Sequence, residues 1–302
     1  MIKNYSRYWQ LYLFLVLPIA YFVIFAYVPM LGAQIAFKRF SILGGIWDSP
    51  WVGFNNFIKF FNSFNFVRVI SNTLRISIYD IIAGFPIPII FALCLNTIEH
   101  KRYKKFLQTI TYMPHFISVV VIVGILMQIF HPINGIYGTV VKAITGTQAE
   151  DIFGIPNAFP HLYVWSGIWQ NFGWSSIIYV AALTSVPDEL YEAARVDGAN
   201  RFKMILHIDI PALMPTMVIL LILRMGSVMS VGFEKAWLMQ NNLNLRTSEL
   251  ISTFVYKQGL AAGGPTDFSY AAAIGLFNSV INLVLIIIVN KIANKLSDTS
   301  LW

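Results

Sequence analysis

Long apolar runs separated by short polar segments dominate this chain, and none of the long runs alternates with a period of two. Residues 11–37, 106–130, 160–184 and 268–290 contain no Asp, Glu, Lys or Arg. Residues 211–233 carry one such residue, Arg224, and residues 71–97 carry Arg75 and Asp80. Each run reaches the roughly 20 apolar residues that a helix needs to cross a bilayer. Uniform rather than alternating apolarity argues against a β-barrel. The pattern therefore predicts an all-α membrane protein with six transmembrane helices over these ranges. The first run follows Lys3 and Arg7 but is too long for the apolar core of a signal peptide and lacks a small-residue cleavage site, so it reads as a retained helix.

Composition sharpens this picture. Apolar residues make up 57% of the 302 residues and charged residues only 12%, about half the 25% usual in a soluble domain. That excludes a soluble globular protein, a disordered tail and a fibre. The single cysteine, Cys94, excludes an internal disulfide framework and reads as a small packed hydrophobe of the second span. The net charge of +7 acquires meaning once placed. With both termini cytoplasmic, the inner segments 1–10, 99–106, 185–211 and 291–302 hold eleven Lys and Arg in 57 residues, whereas the outer segments hold eight in 98. Lys101, Arg102, Lys104 and Lys105 are the clearest cluster. The positive-inside bias favours that orientation, and the basic charge needs no nucleic-acid partner. The domains so defined are a cytoplasmic N-terminus (1–10), a transmembrane domain (11–290) containing an inner loop (185–211), and a cytoplasmic tail (291–302).

Prolines 18, 29, 86, 88, 114 and 215 interrupt the spans, and each removes a backbone donor and favours a kink. No phosphate-binding G-x-x-x-x-G-K-[ST] run occurs, so the chain itself is not expected to bind ATP in that mode. Nor is there a G-x-S-x-G or H-E-x-x-H run, and the five histidines lack ligand spacing. No catalytic residue, metal or cofactor is expected in this chain.

The inner loop is the most informative segment. Pro187, Asp188 and Glu189 suit a helix start, the run to Val196 suits a short helix, and Gly198 offers a left-handed stop. A second short helix, 201–209, is predicted before Pro211. Glu192-Ala193-Ala194, then Gly198, then Ile210-Pro211, resembles the EAA loop of permease subunits in bacterial ATP-binding-cassette (ABC) importers. The extended form ELYEAARVDGANRFKMILHIDIPALMP is similar to the carbohydrate-uptake class. Asn72-Thr73, Tyr112-x-Pro114 and Trp169…Gly173-Trp174 resemble that class too. Val231-Gly-Phe-Glu-Lys-Ala-Trp237 and Ser300-Leu-Trp302 resemble its branch for complex oligosaccharides. The segment 131–138 departs from the usual order after the third span.

The resemblance implies a type I ABC importer permease fold in the bacterial cell membrane. It implies that Glu192, Ala193, Ala194, Arg195, Asp197, Gly198 and Pro211 form the coupling site for an ATPase. The implied partners are a second homologous permease, two copies of the ABC ATPase carrying ATP and Mg, and an extracytoplasmic sugar-binding protein; membrane lipid surrounds the spans. A sugar pathway needs hydroxyl-bonding and stacking groups, and Trp165, Trp169, Gln170, Asn171, Trp174, Arg224, Asn278 and Asn282 supply them. Interfacial belts and helix–helix bonding explain Trp and Asn equally well. Asp80 and Arg75, five residues apart, are placed to pair around their helix or with a neighbouring one, while Arg224 faces a cavity or a partner's carbonyls. An ion-coupled secondary carrier is the alternative, with Asp80 as its intramembrane carboxylate. An intramembrane enzyme needs paired carboxylates or a metal site, and none is visible.

Overall fold

The computed structural model describes residues 9–261 and 266–296. Lys3, Arg7 and the terminal Ser300, Leu301 and Trp302 lie outside the described residues. Those described are helical apart from turns and two isolated bridges, Lys38 with Trp51 and Ser41 with Gly45.

Along the chain, α1 spans Trp9–Phe37, α2 Asn65–Asn96, α3 Lys101–Phe116 and α4 Val119–Ile129. They are followed by α5 (Ile136–Thr145), α6 (Ala158–Thr184) and α7 (Asp188–Val196). Then come α8 (Arg201–Met225), α9 (Phe233–Met239), α10 (Ile251–Gly259) and α11 (Phe268–Leu296). Four of these (α1, α2, α8 and α11) are long and apolar enough to cross a membrane, and α3 with α4 make a fifth candidate bent by 98°. Helix α6 has 27 residues and no charged group, giving it about 40 Å at 1.5 Å per residue. Its Trp, Gln, Asn and Ser content keeps its hydropathy below that of the others.

Two of the predicted spans differ in detail. The run 106–130 is broken, because Pro114 lacks a donor, Ile117 is extended (ψ 131°), and Ser118 caps α4 by accepting from Val121 N. The fifth run neither starts nor stops where hydropathy suggested. The short helix predicted for 201–209 is continuous with it through a π turn at Ile205–Asp209, which sits just ahead of the donor-less Pro211. At the far end the helix stops at Met225 instead of reaching residue 233, and residues 226–232 leave helical geometry. Cys94 is also corrected: it lies on the exposed side of α2 instead of in the packing.

The chain divides into two compact units. In the first, residues up to Ser63 with Val255–Phe277, α1 presents its apolar side chains outward, among them Phe14, Leu17 and Phe25. The chain after α1 is tied by Lys38 Nζ donating to the carbonyls of Ile46 (2.7 Å) and Trp47 (3.0 Å). Asn56 Nδ2 donates to Ala36 O at 2.8 Å, and Phe37 stacks on Trp51. Lys59 pairs with Asp267 at 2.8 Å. The loop aromatics Trp51, Phe54 and Phe57 thus pack on Phe37 while Trp51 and Phe54 stay largely exposed.

The second unit, Phe64–Phe254 with the rest of α11, is built round α6. One apolar cluster joins Ile76, Val123, Phe159, Val164 and Ile168 with Ala236 and Met239; another joins Ile89, Ala92, Tyr179, Leu183 and Leu213. Gly173 explains how α3 meets α6: a Cβ there would lie 2.2 Å from Thr111 O, so only glycine permits the approach.

Candidate functional site

Helix α7 is one candidate site. Pro187 precedes its first turn, and Asp188 and Glu189 occupy that turn, where the helix dipole favours acid. Its end is a complete Schellman turn: Gly198 (φ +74°) donates to Arg195 O at 3.1 Å and Ala199 to Ala194 O at 2.8 Å. Asn200 then caps α8 by accepting from Lys203 N at 2.8 Å. Glu192, Ala193, Arg195, Asp197 and Gly198 are exposed and Ala194 is half-buried. Leu190, Val196 and Phe202 are apolar side chains left in the open beside them. Arg195 Nε donates to Tyr191 O at 3.3 Å. Pro211 lies beyond the π turn, on the exposed side of α8.

Three residues that sequence reasoning passed over anchor this helix. Tyr191 Oη donates to Asp209 Oδ1 at 2.5 Å, and Asn96 Nδ2 reaches both Tyr191 Oη and Asp209 Oδ1 at 3.3 Å. Asp209 is 2% exposed. Burial, then the bond to Asp209, pushes the Tyr191 hydroxyl pKa up to about 12, so it stays a donor. Arg201 adds bonds to Thr97 O (3.0 Å) and Glu99 (2.8 Å). The available signal was polarity at the ends of apolar runs, Asn96 closing one and Asp209 opening another.

The second candidate is a cavity of about 550 Å³ lined by Asp80, Tyr163, Gln170, Asn171, Arg224 and Lys235, among others. Arg224 pairs with Asp80 at 2.5 Å and also reaches Asp80 O at 3.2 Å. Of the two options for Asp80, a bond to Arg75 around its own helix or to a neighbouring helix, the second is found: the partner is Arg224 of α8, which no local pattern reveals. Gln170 Nε2 donates to Ile117 O at 3.0 Å, holding the bend between α3 and α4 against α6. Asn171 donates to Gly167 O and bonds His115 Nδ1 at 2.9 Å, and the His115 ring stacks on Trp174 at 4.7 Å. Trp174 lines a neighbouring cavity of about 470 Å³ that also includes Arg224.

The other pathway candidates stand elsewhere. Trp165 donates to Tyr79 Oη at 2.7 Å, and the Tyr79 hydroxyl also bonds His161 Nδ1 at 2.9 Å. Trp169 is 51% exposed and does not line the cavity. Asn282 accepts from Met229 N at 3.0 Å and donates to Ser230 Oγ at 2.8 Å. Asn278 Oδ1 is enclosed with no hydrogen-bond partner among the described residues.

Asn282 belongs to a wider pattern, since residues 226–232 must satisfy backbone groups that have left the helix. Ser77 donates to Val228 O, Tyr163 to Gly232 O at 3.1 Å and Ser252 to Val231 O at 3.3 Å. Lys235 Nζ closes the set by donating to Tyr163 O at 2.8 Å. Irregular backbone at such a place is tolerated where it lines a cavity or is buried in protein, and Val228, Ser230, Val231 and Gly232 line this one.

Two relatives match nearly the whole of this chain. It is 40% identical to protein LplB of Bacillus subtilis (strain 168), over 97% of this chain and 91% of that one. It is 37% identical to the polygalacturonan/rhamnogalacturonan transport system permease protein YteP of the same organism, over 97% and 90%. Its fold matches, with TM-score 0.89, 36% identity and 99% coverage of both chains, a chain in the crystal structure of a bacterial alginate ABC transporter in complex with alginate pentasaccharide-bound periplasmic protein. Residues 84–298 match the family described as binding-protein-dependent transport system inner membrane component. The chain belongs to that family and is a multi-pass permease subunit of an ABC transport system in the cell membrane.

Proposed function

We propose that this chain forms half of the pathway of an ATP-driven, binding-protein-dependent importer of oligosaccharides. The observation that carries the reading is α7, an exposed helix with a glycine-locked end, tied by Tyr191, Asp209 and Asn96 to α2 and α8. A push on α7 reaches two long helices through these bonds without needing to unfold it. The relatives named for polygalacturonan, rhamnogalacturonan and alginate support the sugar class. Asp80, the carboxylate that an ion-coupled carrier needs, is already matched by Arg224.

In this reading the protein crosses the membrane six times with residues 1–10 and 291–302 in the cytoplasm. Residues 11–290 form the permease domain, and the coupling loop 185–211 faces the cytoplasm. Glu192, Ala193, Ala194, Arg195, Asp197, Gly198 and Pro211 make the coupling site. The open side chains of Leu190, Val196 and Phe202 meet an ATPase, one copy on this chain and one on a second permease. A substrate-binding protein delivers sugar from outside. ATP and Mg act on the ATPases, and this chain's part is transport. Alternating access follows when the docked helices shift, with Gln170, Asn171 and Arg224 lining the path.

Gly198→Val tests this. A Cβ at Gly198 meets nothing within 4 Å, so the substitution strains only the left-handed backbone, by about 1–2 kcal/mol. Sugar uptake per ATP hydrolysed should fall severalfold in proteoliposomes, with membrane insertion unchanged. Wild-type coupling in that variant refutes the assignment of α7.

A further inference from the structure

Lys235 is a buried cation with no carboxylate in ion-pair range among the described residues. It is 8% exposed on α9, its Nζ donates to Tyr163 O at 2.8 Å, and it lies 5.0 Å from the Tyr163 ring centroid. An ammonium has three donors, and the carbonyl takes one. Ion pairs among the described residues join Lys59 to Asp267, Arg68 to Glu249, Arg201 to Glu99 and Arg224 to Asp80, and none includes Lys235. Tying α9 to α6 requires only a neutral N–H. A buried cation is costly unless something compensates it, so its charge calls for a second explanation.

The cavity supplies one. Lys235 and Arg224 line the same space of about 550 Å³, a size usual for small-molecule sites. Arg224 is neutralised by Asp80 at 2.5 Å. Glu234 also lines the cavity but is exposed and makes no ion pair with Lys235. Lys235 therefore remains a desolvated cation held by one carbonyl, the Tyr163 ring and the shared, more distant charge of Asp80, with N–H groups to spare in a cavity that Gln170 and Asn171 also line.

We propose that this cavity is a subsite for a carboxylate-bearing sugar unit, a uronate, and that Lys235 is the residue that selects its charge. The inference rests on the importer reading above and narrows its substrate to acidic oligosaccharides. A sugar carboxylate beside Nζ replaces lost hydration with a charge-assisted bond. A neutral sugar leaves the ammonium unmatched and binds less well.

The test uses the complete transporter, both permeases with ATPases and binding protein, in proteoliposomes. The probes are tri-galacturonate and its fully methyl-esterified, neutral form. Each rate is expressed relative to wild type for the same probe, which cancels the binding protein's own preference. Lys235→Gln, which keeps an N–H donor, should slow tri-galacturonate uptake about tenfold and the ester less than about threefold. Lys235→Arg, which keeps the charge, should stay within about threefold for both. Lys235→Met serves as the second charge-free variant if Lys235→Gln assembles poorly. Equal losses for the two probes, or no loss, overturn the proposal, as does wild-type carriage of the ester or of maltotriose but not tri-galacturonate. Failure to carry any sugar instead overturns the importer reading itself.

Discussion

Asp80 and Arg224 show what a charge inside the membrane requires. Each costs about 2.5–3.5 kcal/mol at a helix centre on insertion scales, and together they offset much of that through a bond of 2.5 Å. Removing one leaves the other unmatched. With side chains about one third exposed to the cavity, the full penalty for breaking a buried pair is discounted, and Asp80→Ala should destabilise by about 1–3 kcal/mol. Asp80→Ala combined with Arg224→Met should recover part of that loss, which thermal unfolding in detergent would read as a positive coupling energy. Simple additivity of the two changes would show that the pair contributes nothing. Tyr191 gives a second case at this scale. Its folded hydroxyl pKa lies near 12, above the ordinary 10.0, so the stability from its protonated form is present below pH 10 and lost as pH rises through 12. The tether is thus constant between pH 6 and 9, whereas Tyr191→Phe should remove about 1–3 kcal/mol by leaving Asp209 short of a donor, with wild-type melting temperature counting against it. Residue types were legible in the sequence and partners were not, because Arg224 and Asp80 stand 144 residues apart. Asn282 was likewise legible as a polar group on an apolar face, but its role as a clamp on Met229 and Ser230 depends on where α8 stops.

Helices were read well where their signals are local. Helix α7 carries its own start, dipole complement and glycine stop, and it forms at the place expected. Long apolar runs became helices because only a helix or a closed barrel satisfies a backbone in lipid, and these runs lack a barrel's alternation. Ends and bends were less visible. The stop at Met225 depends on Ser77, Tyr163, Ser252 and Asn282, which satisfy the freed backbone from other elements. The bend at residues 117–118 was hinted at by Pro114, but its stabiliser, Gln170, comes from α6. The meeting of α3 and α6 yields a sharp prediction. With a Cβ at Gly173 lying 2.2 Å from a backbone oxygen, Gly173→Ala must push the two helices apart at a cost of about 1–3 kcal/mol. Because His115 stacks on Trp174 next door, the movement should also alter Trp174 fluorescence. An unchanged melting temperature and spectrum would mean that the helices do not pack as described.

At the scale of the whole molecule, the protein is shaped for company. Helix α1 leaves its large side chains uncovered, which suits lipid or a second permease. Leu190, Val196 and Phe202 are uncovered too, but they belong to the end of the protein that carries the charged residues of α7 and the start of α8, where lipid is a poor partner. A protein cover is the physical alternative. The single cysteine makes this testable, since Cys94→Ser provides a cysteine-free background for one reporter at a time. Ala193→Cys on exposed α7 should react freely with a membrane-impermeant maleimide when the permease is alone in detergent. Adding the ATPase should slow that reaction about tenfold or more, in line with burial at an interface core. Ile144→Cys on α5, 79% exposed and well away in sequence from the loop, should keep its rate. If both sites react at the same rate before and after the ATPase is added, α7 is not the surface that the motor grips, and force must enter the permease through another element.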